Sequence, residues 1–252
     1  MPQTLAIVLA AGKGTRMNSE LPKVLVEVCG RPMLRYVLDA LRAGGVQRIA
    51  LVVGHREDLV REALADQADL EFVVQREQLG TGHAVMVCRE VIERQDGPVV
   101  VVAGDAPMMQ AESIASLLAE YERQPAGCIL GTVHKQNPTG LGRVLRNAEG
   151  EFVGIVEEKD ATEQQRRITE VNMSYYVFDP RYLLHALDNI RNNNAQKEYY
   201  ITDCPGVMIN QEVDVRALAV LKPCEALGIN TPTELAAVET AMHGQSPSIH
   251  NS

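Results

Sequence analysis

The sequence predicts an α/β fold: a doubly wound, mostly parallel sheet with helices on both faces. Three observations carry this. In the first half of the chain, strand-length apolar runs alternate with amphipathic helical stretches, the pattern of βαβ units. The runs are apolar throughout, most clearly Val99-Val100-Val101-Val102, as are strands covered on both faces. A Gly-rich turn, Gly12-Lys13-Gly14, follows the first run, where such a sheet places its ligands.

In chain order, residues 5–11 read as the first strand and 33–43 as the first helix. Strand 49–53 and helix 57–65 follow, then strand 71–75 and a single helix over 82–94. The most apolar strand is 98–103, before helix 111–122 and strand 128–133. The second half is less regular. Segments 142–145 and 152–156 flank Asn147-Ala148-Glu149-Gly150, a hairpin turn. Strand 171–178, helix 180–190, helix 202–210 and strand 213–220 come next. A last helix covers 234–242, with Pro232 near its start. The Ser-, Pro- and Asn-rich stretch 244–252 reads as disordered. No repeat and no linker divides the chain, so residues 1–230 form one domain and 231–252 a C-terminal helix and tail.

Composition limits the function. The chain has 252 residues, 46% apolar and 23% charged, an ordinary globular balance. No apolar run approaches the ~20 residues of a membrane span, so no membrane partner is expected. Net charge is −9 without a basic stripe, which argues against nucleic acid. Five cysteines without C-x-x-C spacing, and no charged leader after Met1, read as reduced thiols in the cytoplasm. The same cysteines read as core or surface thiols rather than nucleophiles.

Against that acidic background, Lys13, Arg16 and Lys23 place three cations within eleven residues. Successive backbone N–H groups in a Gly-rich turn form an anion concavity, and Arg presents a planar fork to phosphate oxygens. The loop is neither a P-loop, since Gly-Lys-Ser/Thr is absent, nor a dinucleotide loop, since Met17 stands where a third Gly belongs. Asp105 follows the apolar strand 98–103, a position for a magnesium-holding carboxylate or for a turn or cap residue. Asn230, read alone, is a helix cap. Thr81 opens a helix and competes as a cap. His83, on the same first turn with no local Asp, Ser or Cys partner, reads as structural.

Leu9-Ala10-Ala11-Gly12-Lys13-Gly14-Thr15-Arg16-Met17, then Pro22-Lys23, resembles the signature of sugar-nucleotide pyrophosphorylases. Further segments narrow this. They are Gln75 with Gln78-Leu79-Gly80-Thr81-Gly82-His83-Ala84, Gly104-Asp105-Ala106-Pro107, Pro138 to Arg143, Gly154 to Thr162 and Asn192 to Asp203. In that order they resemble the uridyltransferase domain of bifunctional bacterial N-acetylglucosamine-1-phosphate uridyltransferase/glucosamine-1-phosphate acetyltransferases, over about residues 4–235. The resemblance implies a Rossmann-like sheet with an antiparallel sugar-binding extension, UTP and a sugar 1-phosphate as partners, and magnesium as cofactor.

By that resemblance, Arg16, Lys23 and Asp105 are catalytic, and Asp105 with Asn230 holds the metal. Leu9, Ala10, Ala11, Gly12, Lys13, Gly14, Gln75, Gly80, Thr81, Ala103 and Gly104 bind the nucleotide, with Gln75 reading the uracil edge. Gly142, Glu157, Asn172, Tyr199 and Thr202 bind the sugar, and Glu158 is solvated. One departure concerns the sugar side: the family follows the Asn with Thr or Ser and then Gly, whereas Asn172 precedes Met173-Ser174. The acceptor is therefore N-acetylglucosamine 1-phosphate or another sugar 1-phosphate, and the donor UTP or dTTP, since uracil and thymine share a pairing edge. A non-catalytic nucleotide-sugar-binding regulator is the reading from another class. The hexapeptide repeats of the acetyltransferase half are absent, so neither acetyl transfer nor the trimer built by that half is expected.

Overall fold

The computed structural model describes residues 2–12 and 21–245. Strands β1 (Leu5–Leu9), β2 (Arg48–Val53), β3 (Leu70–Val74) and β4 (Val99–Ala103) lie in spatial order 3-2-1-4, all parallel. Helices α1 (Met33–Ala43), α2 (Glu57–Ala63), α3 (Thr81–Met86) and α4 (Arg89–Glu93) connect them. The expected single helix 82–94 is two: the Cys88 N–H bonds the Val85 carbonyl three residues back, and the tightened turn restarts the helix at Arg89. Helix α5 (Ala111–Arg123) leads to β5 (Cys128–His134), and the hairpin β6 (Gly142–Arg146) and β7 (Phe152–Val156) follows as expected.

The next long strand, β8 (Glu170–Phe178), enters the sheet antiparallel between β4 and β5. Strand β9 (Val215–Leu218) closes the far edge parallel to β5. Because β8 runs against β4, its N-terminal half projects past the carboxyl end of β4 and there pairs with β6, Asn172 opposite Gly142. The antiparallel extension is thus anchored by a strand of the main sheet. Helices α6 (Glu163–Arg166), α7 (Pro180–Asn189) and α8 (Cys204–Ile209) complete this half. The expected helix 202–210 starts as a 3₁₀ turn, Ile201–Asp203, before Pro205 in the first turn of α8.

Alternation along the strands divides the core. Ala6 and Val8 face α1, α2 and α5, with Leu34, Leu38, Val60 and Ile114. Leu5 and Ile7 face α3, α4, α7 and α8, with Val85, Ile92, Leu183 and Met208. Both sets are almost fully buried, which is why the strands lack polar residues. The last helix, α9 (Pro232–Gln245), packs Val238 on Val28, Met33, Met108 and Ile229. It extends into the stretch expected to be disordered, because its apolar face has a partner. The remainder of that stretch, from residue 246, lies outside the described residues.

The register of β8 slips between Asn172 and Tyr175, leaving Met173-Ser174 as a bulge. Ser174 stands at φ +58°, its N–H donating to Asn172 Oδ1 at 3.2 Å. A glycine would suit this backbone; a serine there carries left-handed strain. Ser174→Gly is expected to raise thermal stability by about 1 kcal/mol, roughly 2–4 °C in a thermal melt. A lowered melting temperature would contradict the strain.

Candidate active site

Parallel strands end together, so the carboxyl ends of β1, β3 and β4 form one rim. There Ala10, Ala11, Gly12, Gln75, Gly80, Thr81, Ala103 and Asp105 line a cleft of about 360 Å³, with Leu9 at its floor and Lys23 at its side. Gly104 lies behind this lining. Its N–H donates to the Leu9 carbonyl at 2.9 Å, and a Cβ would stand 3.0 Å from that oxygen. Gly80 has φ +109°, and a Cβ there would meet the Tyr199 carbonyl at 2.4 Å. No side chain fits that approach. Lys13, Gly14 and Arg16 lie outside the described residues.

Lys23 sits in a 3₁₀ turn, Lys23–Leu25, that packs Val24 and Leu25 into the core. Its Nζ donates to Asp105 Oδ2 at 2.6 Å and to Asn230 Oδ1 at 2.9 Å. Asn230 is not a cap. Thr231 Oγ1 accepts the Glu234 N–H and closes the start of α9, while the Asn230 N–H donates to Glu234. The Asn230 side chain is thereby free to face Asp105. Two hard oxygens from distant segments converge on the Lys23 ammonium, and the same donor pair would suit a magnesium ion completed by substrate phosphate and water once that ammonium turns to the phosphate. Among the described residues, no cluster of three or more His, Cys, Asp or Glu forms a metal site.

On the opposite wall, Gln75 is 3% exposed. Its Nε2 donates to the Gly80 carbonyl at 3.2 Å and pairs with His83 Nδ1 at 3.0 Å. Thr81 caps nothing: its hydroxyl accepts the Ile201 N–H at 3.1 Å, tying the loop to the second half of the chain. The Tyr199 N–H bonds the Leu79 carbonyl, and its own carbonyl accepts the Gly82 N–H.

The residues expected to bind the sugar lie beyond the bulge. Asn172 pairs with Gly142, and a Cβ on Gly142 would meet the Glu157 carboxylate at 3.5 Å. Thr202 Oγ1 donates to Glu157 Oε1 at 3.0 Å. Gly142, Glu157, Asn172 and Thr202 are thus gathered at one place. Tyr199 contributes backbone to the Gly80 loop while its ring packs on the core. Burial raises the Glu157 carboxyl above its usual range, partly offset by the Thr202 hydroxyl. Glu158 is not simply solvated: Arg143, 1% exposed along its side chain, donates to it at 2.6 Å and holds its carboxyl low. A buried guanidinium requires that partner. The strand pattern did not reveal Tyr176, whose hydroxyl accepts from Asn172 Nδ2 at 2.7 Å, or the lining residues Glu198 and Gln78. Glu198 was visible only as part of the Glu198-Tyr199-Tyr200 segment.

Cys88 is pushed up to about 12 by burial, and burial also raises Cys128 and Cys204, so these thiols stay protonated. A second cleft, about 480 Å³ between α9 and the 107–110 loop, carries none of the expected site residues. Among the described residues no helix is long and apolar enough to cross a membrane.

An open α/β sheet with a Gly-lined cleft at its carboxyl edge and a Lys–Asp–Asn convergence beside it places a ligand where such sheets bind nucleotides. Residues 6–190 match the MobA-like NTP transferase domain, and the chain belongs to that family. It is 42% identical over 236 residues to the bifunctional protein GlmU of Geotalea daltonii, and 44% over 237 residues to that of Streptococcus gordonii. Each match covers 94% of this chain. The chain spans about half the length of these relatives, 52% and 51%. A crystal structure of UDP-glucose pyrophosphorylase complexed with UDP-glucose shares the fold, with a TM-score of 0.77 at 15% identity, covering 97% of this chain and 99% of that one.

Asp203, beside the sugar-side cluster, is raised to about 6 by burial, with Asp160 adding repulsion. Its carboxyl accepts no hydrogen bond from the described residues. Because the folded value exceeds the ordinary 3.8, the folded state holds the proton more tightly, and stability falls as pH rises through that window. Asp203→Asn is expected to raise the melting temperature at pH 7.5, the gain shrinking from pH 6 toward pH 4. A gain independent of pH, or a loss at pH 7.5, would contradict the burial cost.

Proposed function

We propose that the chain transfers a uridylyl group from UTP to N-acetylglucosamine 1-phosphate, giving UDP-N-acetylglucosamine and pyrophosphate. The observation that carries this reading is the convergence of Lys23, Asp105 and Asn230 beside a cleft with an amide, Gln75, on its opposite wall. A cation and a pair of hard oxygens lie at one end, and a base-reading group at the other. The similarity to relatives of the GlmU type supports a transferase of this kind.

An oxygen of the sugar 1-phosphate attacks the α-phosphorus of UTP, and the bond to the β-phosphate oxygen breaks as pyrophosphate leaves. The attacking oxygen is already anionic, so no protein nucleophile or strong base is required. Catalysis is positioning plus charge neutralisation. Lys23 neutralises charge developing at the α-phosphate. Arg16 and the Lys13–Gly14 turn hold the triphosphate, with Leu9 to Gly12 supplying the backbone approach. Asp105 and Asn230 would hold a magnesium ion, whose chemistry there would be to screen phosphate charge. Gly142, Glu157, Asn172 and Thr202 take the sugar. Asn172 suits an N-acetyl group because an amide pairs with an amide. The work is cytoplasmic, in cell-wall precursor supply.

One observation favours a second acceptor. Ser174 of the bulge borders the cleft where the family has a glycine, so its side chain bears on sugar choice, while Met173 packs against the core.

Pyrophosphate release from UTP and magnesium, measured across a panel of sugar 1-phosphates, tests the reading. Preference for N-acetylglucosamine 1-phosphate is expected. Turnover of another sugar alone would move the acceptor, and nucleotide binding with no turnover would make the chain a regulator. In the same assay Asp105→Ala is expected to lose about 100-fold or more in turnover, with its circular dichroism spectrum unchanged. Near-normal turnover of that variant at ordinary magnesium would sink the assignment.

A further inference from the structure

We infer that His83 is a positioning residue that fixes the Gln75 amide, so that the site selects bases by a ring N–H donor. The inference rests on the uridylyl reading of the cleft and adds the device that sets its base selectivity.

The Gln75 side chain is nearly buried and reaches the cleft from the end of β3. A primary amide has two N–H donors and one carbonyl acceptor. Both acceptors that face Gln75 approach the same atom, Nε2: the Gly80 carbonyl at 3.2 Å and His83 Nδ1 at 3.0 Å. Each takes one of the two hydrogens. The pairing assigns the proton of the neutral imidazole to Nε2, leaving Nδ1 as the acceptor. Rotating the amide by half a turn would set Oε1 against the Gly80 carbonyl and the Nδ1 lone pair. Only one orientation is therefore satisfied.

In that orientation both donors are consumed inside the protein. Oε1 accepts nothing from the described residues and is the group Gln75 has left for a ligand. A lone acceptor in the wall of the cleft demands a donor opposite it. Uracil and thymine present a ring N3–H there. Cytosine presents N3 as an acceptor, so two lone pairs would face each other without a proton, an arrangement that costs the desolvation of both groups. An unfixed amide would turn and present its NH₂ to cytosine. The Gly80 carbonyl and His83 Nδ1 together oppose that turn, and loss of His83 leaves Gly80 as the single anchor. Its position three residues after Gly80, on the first turn of α3, brings Nδ1 to the amide.

The test is equilibrium binding of UTP and of CTP by calorimetry, without sugar, to the wild-type chain and to His83→Leu and His83→Asn. Wild type is expected to favour UTP by about 10-fold or more. His83→Leu, which removes the acceptor, is expected to bring the ratio within about threefold, mostly by gaining CTP affinity. His83→Asn, whose Oδ1 can take the place of Nδ1, is expected to restore most of it. A merely structural histidine would weaken both nucleotides alike and leave the ratio unchanged, and that result overturns the inference. Should His83→Leu not fold, ¹⁵N NMR of the wild-type imidazole decides instead: an unprotonated Nδ1 supports the inference, and a protonated Nδ1 overturns it. Failure of wild type to bind UTP overturns the uridylyl reading itself. Selective UTP binding that persists in His83→Leu overturns only the role of His83.

Discussion

One ammonium group ties together three parts of the chain distant in sequence. Lys23, after the Gly-rich loop, bonds Asp105, just past β4, and Asn230, just before α9. Each has its own reason to be there. Val24 and Leu25 are buried beside Lys23, Asp105 follows a strand with no freedom to shift, and Thr231 caps α9 so that Asn230 is left over. The carboxylate and amide are drawn to the cation because the surroundings are half-buried and the attraction is poorly screened there. The rim of the cleft and the course of the C-terminal segment both depend on this contact.

The second constraint is the direction of β8. A strand parallel to β4 would begin at the far edge of the sheet and end at the rim. Running antiparallel, β8 instead passes the rim early, bringing Ser174 of the bulge to the cleft and Asn172 and the β6–β7 hairpin to its far side. The same strand then buries Tyr175, Tyr176 and Phe178 in the core. Tyr176 links the two regions, since its hydroxyl meets the Asn172 amide. The cluster of Gly142, Glu157, Asn172 and Thr202 therefore stands on core packing, and Ser174 in the bulge carries left-handed strain beside it.

Much of this is legible in the amino-acid sequence. The parallel half follows from apolar runs and helical spacing, because a strand covered on both faces admits almost nothing else. The loop residues Leu9 to Gly12 and the pair Asp105 and Gln75 follow from their places at strand ends. Residues whose roles arise from partners far along the chain stayed hidden. Arg143 looks like an exposed cation until its burial against Glu158 is seen, and Thr81 looks like a cap until Ile201 is placed beside it. Asn230 is a cap by its position alone, and only Thr231 taking that task releases it. The break at Cys88 leaves no trace in the periodicity, since it is a matter of one hydrogen bond. His83, a plain structural histidine by pattern, takes its meaning from the neighbouring amide.

In the proposed reaction, Asp105 and Asn230 form a cation position that works with a bound triphosphate. The direct test is a manganese titration followed by electron paramagnetic resonance, with and without UTP, on wild type and Asp105→Asn. Two protein oxygens alone make a weak site. One tightly held manganese ion per chain is expected when UTP is present, with weak retention without UTP and loss of the tight ion in Asp105→Asn. A tight ion retained in Asp105→Asn with UTP would place the metal elsewhere and overturn the Asp105 assignment.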